Sequence, residues 1–336
     1  MDHVDWFEQL MGFAEDGYVR VRERMSVADG RLRSHVNGRS YAIGELETPT
    51  LAELRRRAQA RRSDVAGRLQ VSCMAGDIRR IHRDAANEGA LFQVASQFNL
   101  LEMVGPGVTP EDGVARYAGD RTQGPACAIA AGAATIYRNY FAVVDGRAGQ
   151  TKDRQIDCLR DVGAAFGNAG ESLWAMRNGY AMCTADGLAT IGARLDAAPP
   201  AQRDEWRDLL RIGLHWDVEV TDAAPPYVTV SQAFCSALPV GYSSVPAEAW
   251  QPFATLILEG TYEATLWAAV VNAQRGRSNV VFLTRVGGGA FGNDGAWIDR
   301  ALRRALDKVV DVGLDVRLVD YGSISAASSR LAARYR

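Results

Sequence analysis

Asn279-Val280-Val281-Phe282-Leu283-Thr284, then Gly287-Gly288-Gly289-Ala290-Phe291-Gly292-Asn293, is the stretch on which the reading of this chain turns. The first run is short, apolar and β-branched, as a buried strand is. Beyond the glycines, Trp297, Ile298, Ala301, Leu302, Ala305, Leu306 and Val309 recur at helical spacing. Residues 316–320 then read as a second strand. Glycines at such a strand-to-helix corner let the backbone approach a ligand and turn its N–H groups outward. The helix that follows adds unpaired amides and the positive end of its dipole, so the corner suits a phosphate. A tight connection with no ligand is the plainer alternative. The spacing Gly287-x-Gly289-x-x-Gly292 also satisfies the dinucleotide fingerprint, with Asp320 as the ribose acid. Too little chain follows it, however, to build a second nucleotide-binding half.

The composition sets wide bounds. The 336 residues carry 47% hydrophobic and 23% charged side chains and a formal net charge of −2. Such a chain buries one large core or two modest ones and offers no general attraction to nucleic acid or acidic membranes. Lys152 and Lys308 are the only lysines, so anion-binding groups are almost all arginines. Five widely spaced cysteines show no metal-ligand or disulfide spacing, which fits a reducing cytoplasm. No basic region followed by an apolar run opens the sequence, no apolar stretch is long enough to span a membrane, and no repeat is evident. Nothing in the pattern asks for a metal or another cofactor.

Residues 1–66 read as an accessory region of one short amphipathic helix, two alternating runs around Asn37-Gly38, and an arginine-rich helix opened by the capping box Thr50-x-x-Glu53. The arginines from Arg55 to Arg62 read as a solvated face, because no aromatic residues are interleaved to stack bases. From residue 67 to 336 a second pattern holds. Strands are expected at 69–73, 91–95, 217–221 and 227–238. Helices are expected at about 124–141 and 250–273, with further helical segments inserted at about 145–215. Between them, residues 103–123 form a glycine-rich acidic loop containing Glu111, Asp112 and Asp120, with Glu102 at its edge. Strands alternating with helices imply an α/β sheet covered on both faces.

Three ordered elements give this pattern a family likeness. They are Gly76-Asp77-Ile78, then Gln97-Phe98-Asn99 at a strand end, then the Gly287–Asn293 loop. Together they resemble a macrodomain, over about residues 68–323. The wording Ala95-Ser96-Gln97-Phe98-Asn99-Leu100-Leu101-Glu102, and later Asp120-Arg121-Thr122-Gln123-Gly124-Pro125-Ala126, looks closer still to the divergent MavL-like macrodomains, bacterial proteins that remove ADP-ribose from modified protein. The resemblance implies a macrodomain-like mixed sheet flanked by helices on both faces. It also implies that Asp77 accepts from the adenine amino group, with Ile78 backing the ring. Asn99, beside Gln97, would face the distal ribose. The backbone from Gly287 through Asn293, chiefly Gly288, Gly289, Ala290, Phe291 and Gly292, would receive the diphosphate. Asp112 and Asp120 would stand beside the scissile bond. The chain departs from a typical macrodomain in having Glu102-Met103-Val104-Gly105-Pro106-Gly107 and an acidic segment where a glycine-rich first loop is usual. It also lacks the paired glutamates of poly(ADP-ribose) glycohydrolases.

Cleavage at an anomeric carbon needs a carboxylate to activate water or to steady developing positive charge. Asp112 and Asp120 are the leading candidates, Glu111 and Glu102 the next. Alternatively Asp112 caps a helical turn, Asp120 pairs with Arg121 or Arg116, and Gln97 and Asn99 are loop amides with internal partners. His3, His35, His82 and His215 lack metal spacing, and no serine or cysteine sits in a nucleophile-elbow context. Cys127, Tyr137, Tyr140, Phe141 and Trp297 read as packing residues. The function implied is hydrolysis of a mono-ADP-ribosyl linkage on protein, most plausibly at arginine. The rivals are a silent ADP-ribose reader and a hydrolase of a free ADP-ribose derivative.

Overall fold

The computed structural model describes residues 5–335; His3 lies outside them. Seven strands form the main sheet: β1 (Glu45–Glu47), β2 (Gln70–Ala75), β3 (Leu91–Ala95), β4 (Gly213–Glu219), β5 (Thr229–Cys235), β6 (Val280–Leu283) and β7 (Asp315–Asp320). Their spatial order is β1-β4-β5-β3-β6-β7-β2. From β5 to β2 the neighbours run parallel, whereas β4 is antiparallel to both β5 and β1.

A central strand covered on both faces must satisfy both, and β3 shows how. Successive side chains alternate in direction. Phe92 stacks on His82 at 3.7 Å and on Phe282 of β6 at 4.5 Å. Gln93 points the other way and donates to Thr265 Oγ1 at 2.9 Å. Those two directions are the two helical layers. On the Gln93 side the long helix α5 (Ala247–Gln274) packs on β3, β5 and β6 and carries α1 (Leu51–Ala60) and α6 (Gly295–Asp307). On the Phe92 side, α3 (Gln123–Ala130) packs on β3 and against α2 (Ile78–Arg83), while α4 (Gly132–Tyr140) packs on β4. The mixed, doubly covered sheet is therefore the fold expected from the sequence. His82 belongs to its core: burial lowers the imidazole pKa to about 4.

Three local expectations change. The single helix foreseen over 124–141 breaks at Ala131 (φ −109°, ψ 56°). The break fits the packing, because a Cβ on Gly132 would meet Leu10 and Trp6 within 3 Å, and the helix Trp6–Met11 lies across the corner. The strand foreseen at 217–221 starts earlier, at Gly213, and its pairing shifts register between His215 and Val218. Residues 145–215 are not wholly helical either. They include the hairpin Trp174–Arg177/Tyr180–Cys183, turned by Asn178 (φ 48°) and Gly179 (φ 81°).

The first 66 residues are woven into the body. Three short strands (Met25–Ala28, Arg31–Ser34, Ser40–Ala42) form their own sheet, but β1 closes the edge of the main one. The Thr50/Glu53 capping box is present and opens α1. Arg56, Arg57 and Arg61 are exposed, as a solvated face would be, but Arg55, Arg57 and Arg62 also pair with acids. Arg55 reaches Asp208 at 2.7 Å, Asp204 at 3.0 Å and Glu263, whose side chain is 1% exposed and also pairs with Arg304. Arg57 meets Glu47, and Arg62 meets Asp311. Among the described residues no helix is long and apolar enough to cross a membrane.

Removing one partner of a buried charge group leaves the others uncompensated. Arg55→Met is expected to lower unfolding free energy by about 3 kcal/mol, seen as a lower urea midpoint at unchanged slope.

Candidate functional site

Strands β5, β3 and β6 end side by side. The chain leaving β3 crosses to the α3 face, and the chain leaving β6 crosses to the α6 face. Connections that part in this way open a crevice at the carboxyl ends of parallel strands. A cavity open to solvent occupies it, lined by the ends of all three strands, the loop after β6 and the segment leading into α3.

The glycine loop forms one wall. It is anchored at its base by Tyr262, whose hydroxyl donates to Thr284 O (2.9 Å) and accepts from Val286 N (2.8 Å). Gly287 (φ 79°) and Gly292 (φ 69°) take the left-handed turns that fold it back. Asn293 is not among the residues lining the cavity, and its Oδ1 is buried without a partner. Its amide donates to Leu238 O at 2.8 Å, and its backbone N–H to Gly287 O at 2.9 Å, so it ties the loop to the end of β5. Gly288 N is bonded to Arg285 O and Gly292 N to Gly289 O. Among the described residues, the amides of Gly287, Gly289, Ala290 and Phe291 find no acceptor in the protein. Three of these are consecutive and border the cavity, an arrangement suited to an anion.

The facing wall is the turn from Ser96 to Met103. Leu100 adopts φ 64°, a conformation β- or γ-branched residues rarely take. Side chains within the turn hold it there. Gln97 Oε1 accepts from Met103 N at 2.8 Å, and Asn99 Oδ1 accepts from Leu101 N at 3.1 Å. Gln97 still borders the cavity. Asn99 is wholly buried, donates to Gln155 Oε1 at 2.8 Å, and is absent from the lining. The product of this turn is Glu102, 3% exposed yet lining the cavity. Neither of its carboxyl oxygens has a hydrogen-bond partner. Burial pushes its pKa up to about 8, against the opposing pull of Arg138, whose Nη2 lies 3.6 Å away. Burial thus favours the protonated form of Glu102.

Asp120 is the second carboxylate on the cavity, its Oδ1 held by Thr122 N at 2.8 Å. Asp112 lies outside the lining. It caps the turn Pro110–Asp112, accepting from Thr109 N and Oγ1 at 2.8 and 2.9 Å, and the amide bond lowers its pKa. Glu111 accepts from Lys152 N and is likewise outside. Asp77 caps α2, accepting from Arg79 N at 2.9 Å, with Ile78 buried behind it. Both sit at the carboxyl edge of the sheet but away from the cavity wall, beyond β7. The register pairs Ala75 with Asp320, so Asp77 and Tyr321 leave the sheet at adjacent points, and Tyr321 is 87% exposed.

Two residues passed over in the sequence complete the cavity. Tyr180 and Tyr242 pack with Phe291 as three rings with centroids 5.2–5.6 Å apart. Tyr180 donates to Met103 O at 2.6 Å, so the ring is fixed to the turn bearing Glu102. Its signal was legible: Asn178-Gly179 between two short apolar runs marks a two-residue hairpin. Gly124 is a further requirement, since a Cβ there would fall 1.9 Å from Ala95 O and 3.1 Å from Glu102 Cγ. Among the described residues, no group of three His, Cys, Asp or Glu is placed to hold a metal ion.

No protein-family model and no curated protein matches the chain. Solved structures similar to it are poly(ADP-ribose) glycohydrolases. One from Thermomonospora curvata, bound to the inhibitor ADP-HPD, is 14% identical, covers 94% of this chain and 96% of its own, and has a TM-score of 0.43. A mutant of the Thermomonospora curvata glycohydrolase is 14% identical over 95% and 96%, with a TM-score of 0.46. The glycohydrolase from Deinococcus radiodurans in complex with ADP-ribose is 14% identical over 86% and 91%, with a TM-score of 0.42.

The buried acid carries a stability signature. The folded chain holds the Glu102 proton up to about pH 8, whereas the unfolded chain releases it near 4.5. Between these values the Glu102 site binds more protons in the native state, so its own contribution to stability falls as pH rises, by up to about 1.4 kcal/mol per pH unit, and levels off above 8, while the buried His82 and His215 act in the opposite sense below about 6.5. Glu102→Gln is expected to remove the Glu102 contribution, read as the difference in thermal unfolding between the variant and the unaltered protein from pH 5 to 9.

Proposed function

We propose that this chain binds ADP-ribose and hydrolyses a mono-ADP-ribosyl linkage on modified protein, with arginine as the modified residue, in the manner of the MavL-like macrodomains it resembles. The single observation that carries the reading is one cavity with unpaired consecutive amides on one wall and two carboxyl groups, Glu102 and Asp120, on the other. The amides of Gly289, Ala290 and Phe291 suit the diphosphate. The Tyr180, Tyr242 and Phe291 rings suit the apolar faces of the distal ribose. Asp77 and Tyr321, beyond β7, offer an acid and an exposed ring to the purine.

The chemistry then divides between the two acids. As the glycosidic C–N bond breaks, its electron pair stays with the departing nitrogen, which takes the Glu102 proton. Water adds to the anomeric carbon and yields its proton to Asp120, leaving free ADP-ribose and the restored side chain. A raised pKa for the donor, with a second carboxyl group on the same cavity as acceptor, is the division that glycoside cleavage requires.

Calorimetry with ADP-ribose, AMP, NAD and ATP tests the binding half, and ADP-ribose is expected to bind at least about tenfold tighter than the others, a gap of about 1.4 kcal/mol. Release of ADP-ribose from an arginine-modified protein tests the other half. Glu102→Gln and Asp120→Asn should each keep ADP-ribose binding and lose turnover by about 10²–10⁴-fold, while Asp112→Asn should keep both. Binding without turnover in the unaltered protein would leave a reader of ADP-ribosylated partners instead. Preferential release from small ADP-ribose derivatives would point to a free-nucleotide hydrolase.

A further inference from the structure

The inference drawn next rests on the acid role given to Glu102 above. Beside that residue lies Arg138, 0% exposed in the last turn of α4. A guanidinium so far from water needs a reason, since a cation in the interior is costly unless each donor is answered. Its donors are only partly answered. Nε donates to Leu100 O at 3.1 Å, and Nη2 to Thr135 Oγ1 at 3.0 Å. The guanidinium also lies 3.9 Å from the centroid of the Phe234 ring on β5. Nη1 has no partner. The remaining neighbour is the Glu102 carboxyl, at 3.6 Å from Nη2 and itself without a hydrogen bond.

These contacts join the cation to the turn that presents the acid. Leu100, whose carbonyl receives Nε, is the residue held at φ 64°. Gln150 Nε2 donates to both Arg138 O and Asn99 O at 3.1 Å, tying α4 to the same turn. We propose that Arg138 is a positioning residue for Glu102: a buried cation, anchored to the turn, to Thr135 and to Phe234, that holds the acid against the cavity and stabilises the anion left when its proton is given up.

The other groups around Glu102 do not supply that charge. Tyr117 of the acidic loop accepts from Glu102 N through its hydroxyl, and that hydroxyl also helps lower the Glu102 pKa, less than Arg138 does, but it brings no charge, since burial raises the phenol's own pKa well above its ordinary value. Cys127 of α3 is a thiol whose pKa burial likewise raises. His215 of β4, near Arg138, is kept neutral by burial and then by the cation. Asp120 shares the cavity and would oppose an anion at Glu102. Among the described residues, Arg138 is the cation within 4 Å of the acid. Without it, proton donation would strand a carboxylate in apolar surroundings, and the donor would hold its proton too tightly to turn over.

The test reads Glu102 directly and reads turnover beside it. With carboxyl-labelled glutamate, assigned by loss of one resonance in Glu102→Gln, the Glu102 titration is followed by NMR in the wild type and in Arg138→Met. The midpoint is expected to rise by about one pH unit or more in the variant, because the favourable charge beside the anion is gone. Turnover of ADP-ribosylated protein should fall about tenfold or more at neutral pH, with its alkaline limb displaced upward, while the ADP-ribose Kd stays within about twofold. Arg138→Lys should restore part of both. Should Arg138→Met not fold, Thr135→Val, which removes the acceptor of Nη2 together with the hydroxyl's bond to Ala128 O, should shift the midpoint in the same direction. An unmoved Glu102 midpoint in the folded variants overturns the proposal, as does a loss of turnover matched by an equal loss of ADP-ribose affinity. A wild-type protein that binds but never turns over defeats the hydrolase reading, and the NMR midpoint still decides whether Arg138 governs Glu102.

Discussion

The carboxyl edge of this sheet depends on the backbone approach between Ala95 and Gly124. A strand end and a helix start come together there with no room for a methyl group between them. Gln123 seals the join by accepting from Ala95 N and donating to Gln93 O, both at 2.8 Å. Because the helix can begin so close to the strand, the intervening residues are thrown out as a loop. The first part of that loop must turn sharply back under itself. The left-handed Leu100 and the internal amide bonds of Gln97 and Asn99 make that turn, and its outcome is a glutamate pressed into the cavity with neither oxygen bonded.

Side chains that look like ligand contacts in a sequence serve here as girders. Asn99, Gln97 and Asn293 are amides, and an amide side chain beside a turn most readily satisfies nearby backbone groups. Asn293 does so for Leu238 O and Asn99 for Leu101 N. What they leave open is backbone: Gly289, Ala290 and Phe291 border the cavity, and their amides have no acceptor in the protein. The loop is therefore organised to present N–H groups, and the side chains keep it in that shape.

The buried charges divide into two kinds. Around Arg55, Glu263, Asp204 and Arg304, opposite charges meet at hydrogen-bonding distance and knit α1, α5 and α6 together. Around Glu102 and Arg138 the geometry is looser, the oxygens are unbonded and one guanidinium nitrogen is orphaned. A pair serving stability alone would have closed that gap, since unsatisfied buried polar atoms cost free energy. A perturbed, poorly satisfied carboxyl group beside a cavity is the kind of group that active sites carry.

Much of the architecture was legible because it rests on local patterns. Alternating apolar runs, helical spacing and the Thr50-x-x-Glu53 cap are properties of neighbouring residues, and β3, β6, β7, α5 and α6 fall close to where those patterns put them. The glycine corner was legible for the same reason. Which carboxylate reaches the cavity was not. Asp112, Glu111, Asp120 and Glu102 share one acidic segment, and nothing in their order says that the first two are spent on Thr109 and Lys152 while the last is buried. Nor does the sequence bring Tyr180, from a hairpin 78 positions beyond Glu102, onto the same cavity. Burial, and with it the pKa of a carboxyl group, depends on which distant segments close over it, and only the packed chain decides that.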